Sequence, residues 1–232
     1  MAKKIKKQES TEIATVTKSR RGFEEPTEKE DYIIPRGLLL QGLSEAVQKE
    51  GMKQGLIINS LTRDELPETF IPIFKFTTWI RYNAKKKSDR GYDDNFDLGA
   101  VIWKSNDPND PRVIEESKFG ENGDAPLATK HINFFCYFPG HPTPVVVSFK
   151  KTSLRTGREL LTMAKMFNSD MFAYRYNLTA RLEEKNGNSF YMFKVAPAGK
   201  SSAEEYTACE KLYDAFADKP IIVDESHHQD EE

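Results

Sequence analysis

Phosphodiester cleavage is the first chemistry that the residue types bring to mind. Glu116-Ser117-Lys118 matches the Glu-x-Lys half of a common nuclease core, and Asp97 or Asp110 would supply the upstream carboxylate. Two carboxylates holding Mg²⁺ beside a lysine suit that reaction. Such a triplet recurs by chance where 30% of residues are charged, and Asp107-Pro108-Asn109-Asp110-Pro111 reads as a turn where the core needs a strand. A Mg-dependent nuclease therefore stays as the enzyme alternative only. A nucleotide-phosphate loop is absent, because Gly157 is followed by Arg158-Glu159 with no glycine five positions upstream, and no GxGxxG occurs. His131, Cys136 and His141 match no standard zinc spacing, His227-His228 lies in an acidic segment, and no Gly-x-Ser-x-Gly elbow appears. The expectation is a non-enzymatic protein with no cofactor and no catalytic or metal-binding residue.

Binding chemistry is better represented. In Phe70–Tyr82 (FIPIFKFTTWIRY), one alternate set holds Phe70, Phe74, Phe76, Ile80 and Tyr82, and the other holds Lys75, Thr77, Trp79 and Arg81. Successive strand side chains point to opposite faces, so one face can be core while the other offers cations and an indole to water. Ala173–Arg181 repeats the pattern, with Arg175, Asn177, Thr179 and Arg181 opposite Tyr174, Tyr176 and Leu178. Cations along phosphates and flat rings under bases are what a single nucleic-acid strand requires.

In HINFFCYF, Ile132, Phe134, Cys136 and Phe138 fall on one side and His131, Asn133, Phe135 and Tyr137 on the other. Aromatic residues on both sides mean burial on both faces, as in a central strand, or one core face and one stacking face. The cations Lys130, Lys150, Lys151, Arg155 and Arg158 lie nearby in sequence, the last four across a strand end and the first helical turns. There, phosphates would also meet free amide groups. The candidate nucleic-acid-binding residues are thus Lys75, Trp79, Arg81, Lys130, His131, Phe135, Tyr137, Lys150, Lys151, Arg155, Arg158, Arg175 and Arg181.

The elements that must position these residues follow from the pattern along the chain. Residues 1–31 are charged and nearly free of aromatics, which predicts a disordered basic N-terminal tail. A short helix is expected over Ser44–Glu50, a strand over Phe70–Tyr82, a polar loop over Asn83–Asn95 with Lys85-Lys86-Lys87, and a strand over Leu98–Lys104. His131–Phe138 and Val145–Lys150 read as hairpin arms, and Thr152–Phe167 as a helix. Met171–Glu184 and Ser189–Ala196 read as a hairpin turned at Asn186-Gly187-Asn188. Ser202-Ala203-Glu204-Glu205 opens a helix through Phe216 as a capping box. Strands, then a helix, then two strands is the order of a small antiparallel barrel of the oligonucleotide/oligosaccharide-binding (OB) type. A helix-capped sandwich fits the same order.

Charge is segregated behind a net −2: residues 1–23 carry seven Lys/Arg against Glu9 and Glu12, and residues 130–181 eight against Glu159 and Asp170. Residues 224–232 carry Asp224, Glu225, Asp230, Glu231 and Glu232 with no cation. No run of about 18 apolar residues exists to span a membrane. Two cysteines, Cys136 and Cys209, argue against a disulfide framework and fit a reducing cytoplasm.

Pro35-Arg36-Gly37, Phe70-Ile71-Pro72 through Trp79, Asp107–Val113, Ala128-Thr129-Lys130 with Asn133-Phe134, and Ser148–Ser153 with Gly157 together resemble a group of tailed-bacteriophage replication-region proteins. The resemblance covers about residues 33–216. It implies single-stranded DNA binding through an OB-like fold followed by an acidic C-terminal tail. Some such tails end in an aromatic residue that engages replication proteins; this one ends Glu231-Glu232. The expectation is an α+β fold with a small OB-like barrel, one helix between its strands, a C-terminal helix and disordered charged tails. Its parts are the basic tail 1–31, a single nucleic-acid-binding domain 32–217 and an acidic tail 218–232. The expected function is sequence-tolerant single-stranded DNA binding in phage replication or recombination, in the host cytoplasm, with replication proteins as partners of the tail. The alternative of another class is a phage structural or host-interaction protein without a nucleic-acid role.

Overall fold

One irregularity in the longest strand organises the fold. The computed structural model describes residues 33–185 and 187–224. The basic tail expected at 1–31, and residues 225–232 of the expected acidic tail, lie outside the described residues. β3 (Thr69–Tyr82) pairs antiparallel with β5 (Ala128–Tyr137) from Ile71 to Arg81, and with β7 (Tyr174–Lys185) at Thr69 and Phe70. Between Pro72 and Phe74 the register shifts. A bulge inverts the facing of everything beyond it. Phe70 therefore joins Phe134, Phe138, Phe149, Tyr176 and Phe193 in one core, while Phe74 stacks on Phe135 at 4.9 Å in a second. Alternation alone had placed Phe70, Phe74 and Phe76 on a single face; the bulge corrects that.

The remaining strands extend from this axis. β5 pairs with β6 (Val145–Lys150), and β7 with β8 (Asn188–Lys200), both antiparallel and both expected. The order is β6-β5-β3-β7-β8, with β4 (Val101–Ser105) joined to the far end of β3. A separate antiparallel pair joins two strands that sequence patterning had not marked, β1 (Gly37–Leu39) and β2 (Ile57–Asn59). They are only three residues each, too short for a periodic signal. Among the described residues no ladder joins β6 to β8, so the backbone pairing does not close a barrel. The open ends are approached by the first segment instead. Arg36 bridges in parallel to Val146 of β6, and the Gln41 carboxamide donates to Tyr191 O (3.0 Å) and accepts from Tyr191 N (2.9 Å) of β8.

Four α-helices are present among the described residues. α1 (Glu45–Gln48) forms where a helix was expected, and α2 (Pro111–Glu116) where only a turn was. Asp110 caps α2 by accepting from Arg112 N, and Pro111 holds its first position, where its missing N–H costs nothing. α3 (Leu154–Met166), entered through a 3₁₀ turn at Lys151–Ser153, buries Leu160 and Ala164. α4 (Ala203–Phe216) has the capping box expected at Ser202 and Glu205. It covers the second core, where Cys209 is buried and Phe216 packs on Phe135 at 5.2 Å. Ile221 and Val223, assigned to the acidic tail by composition, pack on that core, and Ile34 exchanges backbone hydrogen bonds with Ile222 and Asp224. The class is thus mixed α+β with antiparallel sheets.

Candidate functional site

The candidate residues divide among four places. The first is the far end of β3, which had been read as open to water. There Trp79 and Arg81 keep only 9% and 8% exposure, because β4 pairs along Trp79–Tyr82 and the segment beyond folds over them. The Arg81 guanidinium donates to Tyr82 O (3.0 Å) and Gly91 O (2.6 Å) and lies 3.2 Å from the Glu116 carboxylate. Glu116 also accepts from Trp103 Nε1 at 3.1 Å. Arg81 is thereby consumed in holding the β4–α2 segment. Asn83 completes that anchor by donating to Asp93 O, Phe96 O and Asp97 O.

The second place is β5, where both faces are covered. His131 is 1% exposed and Phe135 0%. Phe135 lies between Phe74 and Phe216, with no face left for a base, so the stacking role read from its alternation is corrected. Asn133, on the same side, donates to Thr78 Oγ1 (3.0 Å) and accepts from Ser148 Oγ (2.7 Å), a buried polar row across three strands. Tyr137 is half-buried against the second core. On β7, Arg181 pairs with Glu183 (2.6 Å) and Arg175 approaches Glu205 (3.8 Å), which commits both to local carboxylates.

The third place is a groove. Where β6 runs into α3, a cavity of about 920 Å³ opens between that junction, the chain around Gln41, and the first residues of β8. Lys150 and Lys151 stand on one wall, with Leu43 and Tyr191 on others. Lys151 has φ +46°, left-handed backbone rare for a side-chain-bearing residue and common where function holds the chain in place. Two tight contacts fix α3 beside the groove. A Cβ on Gly157 would lie 2.8 Å from Phe149 Cβ, so only glycine allows this approach, and Thr156 Oγ1 donates to Phe193 O at 3.1 Å. Arg155 and Arg158 then face solvent, Arg155 paired with Glu159 at 2.9 Å. No acidic residue occupies the first turn of α3 and Ser153 makes no side-chain cap, while the Leu154 amide donates to Lys151 O through the 3₁₀ turn.

The fourth place holds Lys75 and Lys130, both exposed, the latter over the Trp79 ring. The groove's Gln41, Leu43 and Tyr191 had no signal in the sequence, since the Gln41–Tyr191 contact spans 150 residues.

The nuclease and metal alternatives fare differently from the groove. Arg112 binds the Asp110 carboxylate (2.7 Å) and holds it well below the usual carboxylate range, while Glu116 is engaged by Arg81 and Trp103. Cys136 Sγ contacts Phe134 O at 3.2 Å, and burial raises its thiol pKa. His141 contacts Asn59 and Thr143 instead. Among the described residues no three His, Cys, Asp or Glu side chains gather as a metal site, and no helix is long and apolar enough to cross a membrane.

Fold and site define a mixed α+β protein of antiparallel sheets, with a cation-edged groove where its first segment meets β6 and β8. No curated protein and no solved structure matches the chain. The chain belongs to the Pam3 phage gp34-like protein family, whose model matches residues 6–221. That makes it a member of a phage protein family.

Proposed function

We propose that this protein binds single-stranded DNA, with little sequence preference and without catalysis, during replication or recombination of a phage genome. The carrying observation is the groove, which sets Lys150 and Lys151 against Leu43 and Tyr191. Phosphates would take the ammonium groups while a base lies on the apolar wall, at about 1–3 kcal/mol per stacked base. The strand order supports an OB-like barrel, with α3 between the third and fourth of its long strands and the Gln41 carboxamide standing in for backbone pairing at the seam. Residues 225–232 would recruit replication proteins, and the protein would act in the host cytoplasm.

A second reading, a phage structural or host-interaction protein, draws on the β4–α2 segment. Phe119 and Ile114 there are 73% and 49% exposed. Fluorescence anisotropy with labelled single- and double-stranded oligonucleotides, with and without Mg²⁺, separates the readings. Preference for single strands, steeply weakened by salt, is expected. The variant with Lys150, Lys151, Arg155 and Arg158 all changed to Ala should stay folded while losing affinity and slope. Wild-type binding by that folded variant would remove the groove. Absence of binding at low salt would favour the interaction protein, and Mg²⁺-dependent cleavage would restore the nuclease.

A further inference from the structure

Strand register gathers a second set of cations that starts at the groove edge and runs outward from it. Trp79 of β3 stands opposite Lys130 of β5, so both side chains leave the same face, and Lys130 Nζ sits 5.4 Å over the indole. Lys75 precedes Trp79 by four residues, both beyond the bulge, which returns it to that face. The last turn of α3 adds Lys165. Burial first, then the charges of Lys130 and Lys165, lower the Lys75 ammonium pKa from its ordinary value, so the three groups share one positive field.

Among the described residues no carboxylate lies within ion-pair distance of it. Arg155, Arg175, Arg181 and Arg112 each have a carboxylate within ion-pair distance, whereas among the described residues none pairs with Lys75, Lys130 or Lys165. Like charges held together without a counter-ion oppose folding, and a bound anion removes that repulsion.

We propose that Lys75, Lys130 and Lys165, with Trp79 beneath Lys130, form a second phosphate-binding patch that takes the backbone of a nucleic-acid strand beyond the groove. Its ligand's identity rests on the single-strand reading; its affinity for phosphate does not. Lys165 lies at the far end of the segment 151–166 from Lys151, about 20 Å away at the helical rise, while Lys130 stands on β5 beside His131, the strand partner of Lys150, so the patch begins at the groove edge and extends it along α3.

The test uses the full chain. Its two tryptophans are Trp79 and Trp103, so Trp103→Phe leaves Trp79 as sole reporter. Tripolyphosphate should change Trp79 emission by drawing Lys130 off the ring, and Lys75→Ala/Lys130→Ala/Lys165→Ala should abolish the response. With labelled oligothymidylates, the triple variant should reduce the salt slope by about 2, three phosphates at about 0.7 each, for a strand of about thirty nucleotides. It should reduce the slope less for one of about three, which is too short to reach from the groove to Lys165. Its melting temperature in the absence of ligand should equal or exceed that of wild type, because repulsion has been removed. Should it unfold, Lys165→Gln alone is carried through the same titrations, with a partial loss expected. Silent Trp79 emission together with an unchanged slope overturns the patch, whatever the groove variant does. A tripolyphosphate response without oligonucleotide binding keeps the patch as an anion site and refutes the single-strand reading.

Discussion

Gln41→Ala tests the seam between the two open ends of the sheet. The wild-type carboxamide makes two hydrogen bonds to the Tyr191 backbone, at 3.0 and 2.9 Å, in half-buried surroundings. Each is worth about 0.5–1.5 kcal/mol net, and a deprived backbone group on β8 must find water at the groove edge. The expected loss is therefore about 2 kcal/mol. With a urea m-value of about 2 kcal/mol/M, the midpoint should fall by about 1 M. Hydrogen exchange adds locality: the Tyr191 amide should lose protection while amides of the β3–β5 ladder fall only with global stability. Gln41→Glu sharpens the test, because an ionised carboxylate can still accept from Tyr191 N but offers no donor to Tyr191 O. It should be destabilised at neutral pH and partly recover as acid returns a donor proton. A midpoint unchanged within error, with Tyr191 exchange as in wild type, would show that the carboxamide does not hold the ends together.

Other consequences can be checked in the same way. Gly157→Ala should destabilise by about 1 kcal/mol, since overpacking against Phe149 of about 1–3 kcal/mol outweighs a helix-propensity gain of about 1 kcal/mol; a higher melting temperature would mean α3 has room to move. Phe135→Ala should cost about 3–5 kcal/mol in denaturant titrations, a core effect that a solvent-facing stacking residue would not produce. Burial pushes the Tyr176 hydroxyl up to about 12 from 10.0. The unfolded chain then loses that proton first, so stability should be unaffected below pH 10 and fall between about pH 10 and 12. Tyrosinate absorbance in Tyr176→Phe, which removes the late-titrating group, provides the comparison.

Long periodic elements were legible because their signals are local. β6 occupies the expected Val145–Lys150, and the capping box at Ser202 opens α4 as read. What failed depended on distance. The alternation around Trp79 and Arg81 described two strand faces correctly, but which face meets water was decided by β4 and the Glu116 carboxylate. The bulge at Pro72–Phe74 adds a residue without changing composition, so no period could reveal it. The cations of the β6–α3 junction were readable as a cluster, whereas Gln41 and Tyr191 came to the same groove only through folding. Lys165 carried no signal of its own, because Lys75 and Lys130, whose charges it joins from α3, belong to two strands distant in sequence.

The double allegiance of β3 bears on how the chain reaches this state. One strand serves the β5–β6 hairpin beyond the bulge and the β7–β8 hairpin before it, through pairs such as Phe70 with Tyr176. The two hairpins are local and can form early, but the contact that unites them closes a loop of roughly a hundred residues, whose entropy must be met before its packing is gained. β3 should therefore limit the folding rate. Substitutions at Phe70 should slow refolding if that closure belongs to the barrier, and hasten unfolding if it follows it. Because β3 joins the two hairpins and contributes to both cores, equilibrium unfolding should be a single transition even though the chain carries two cores.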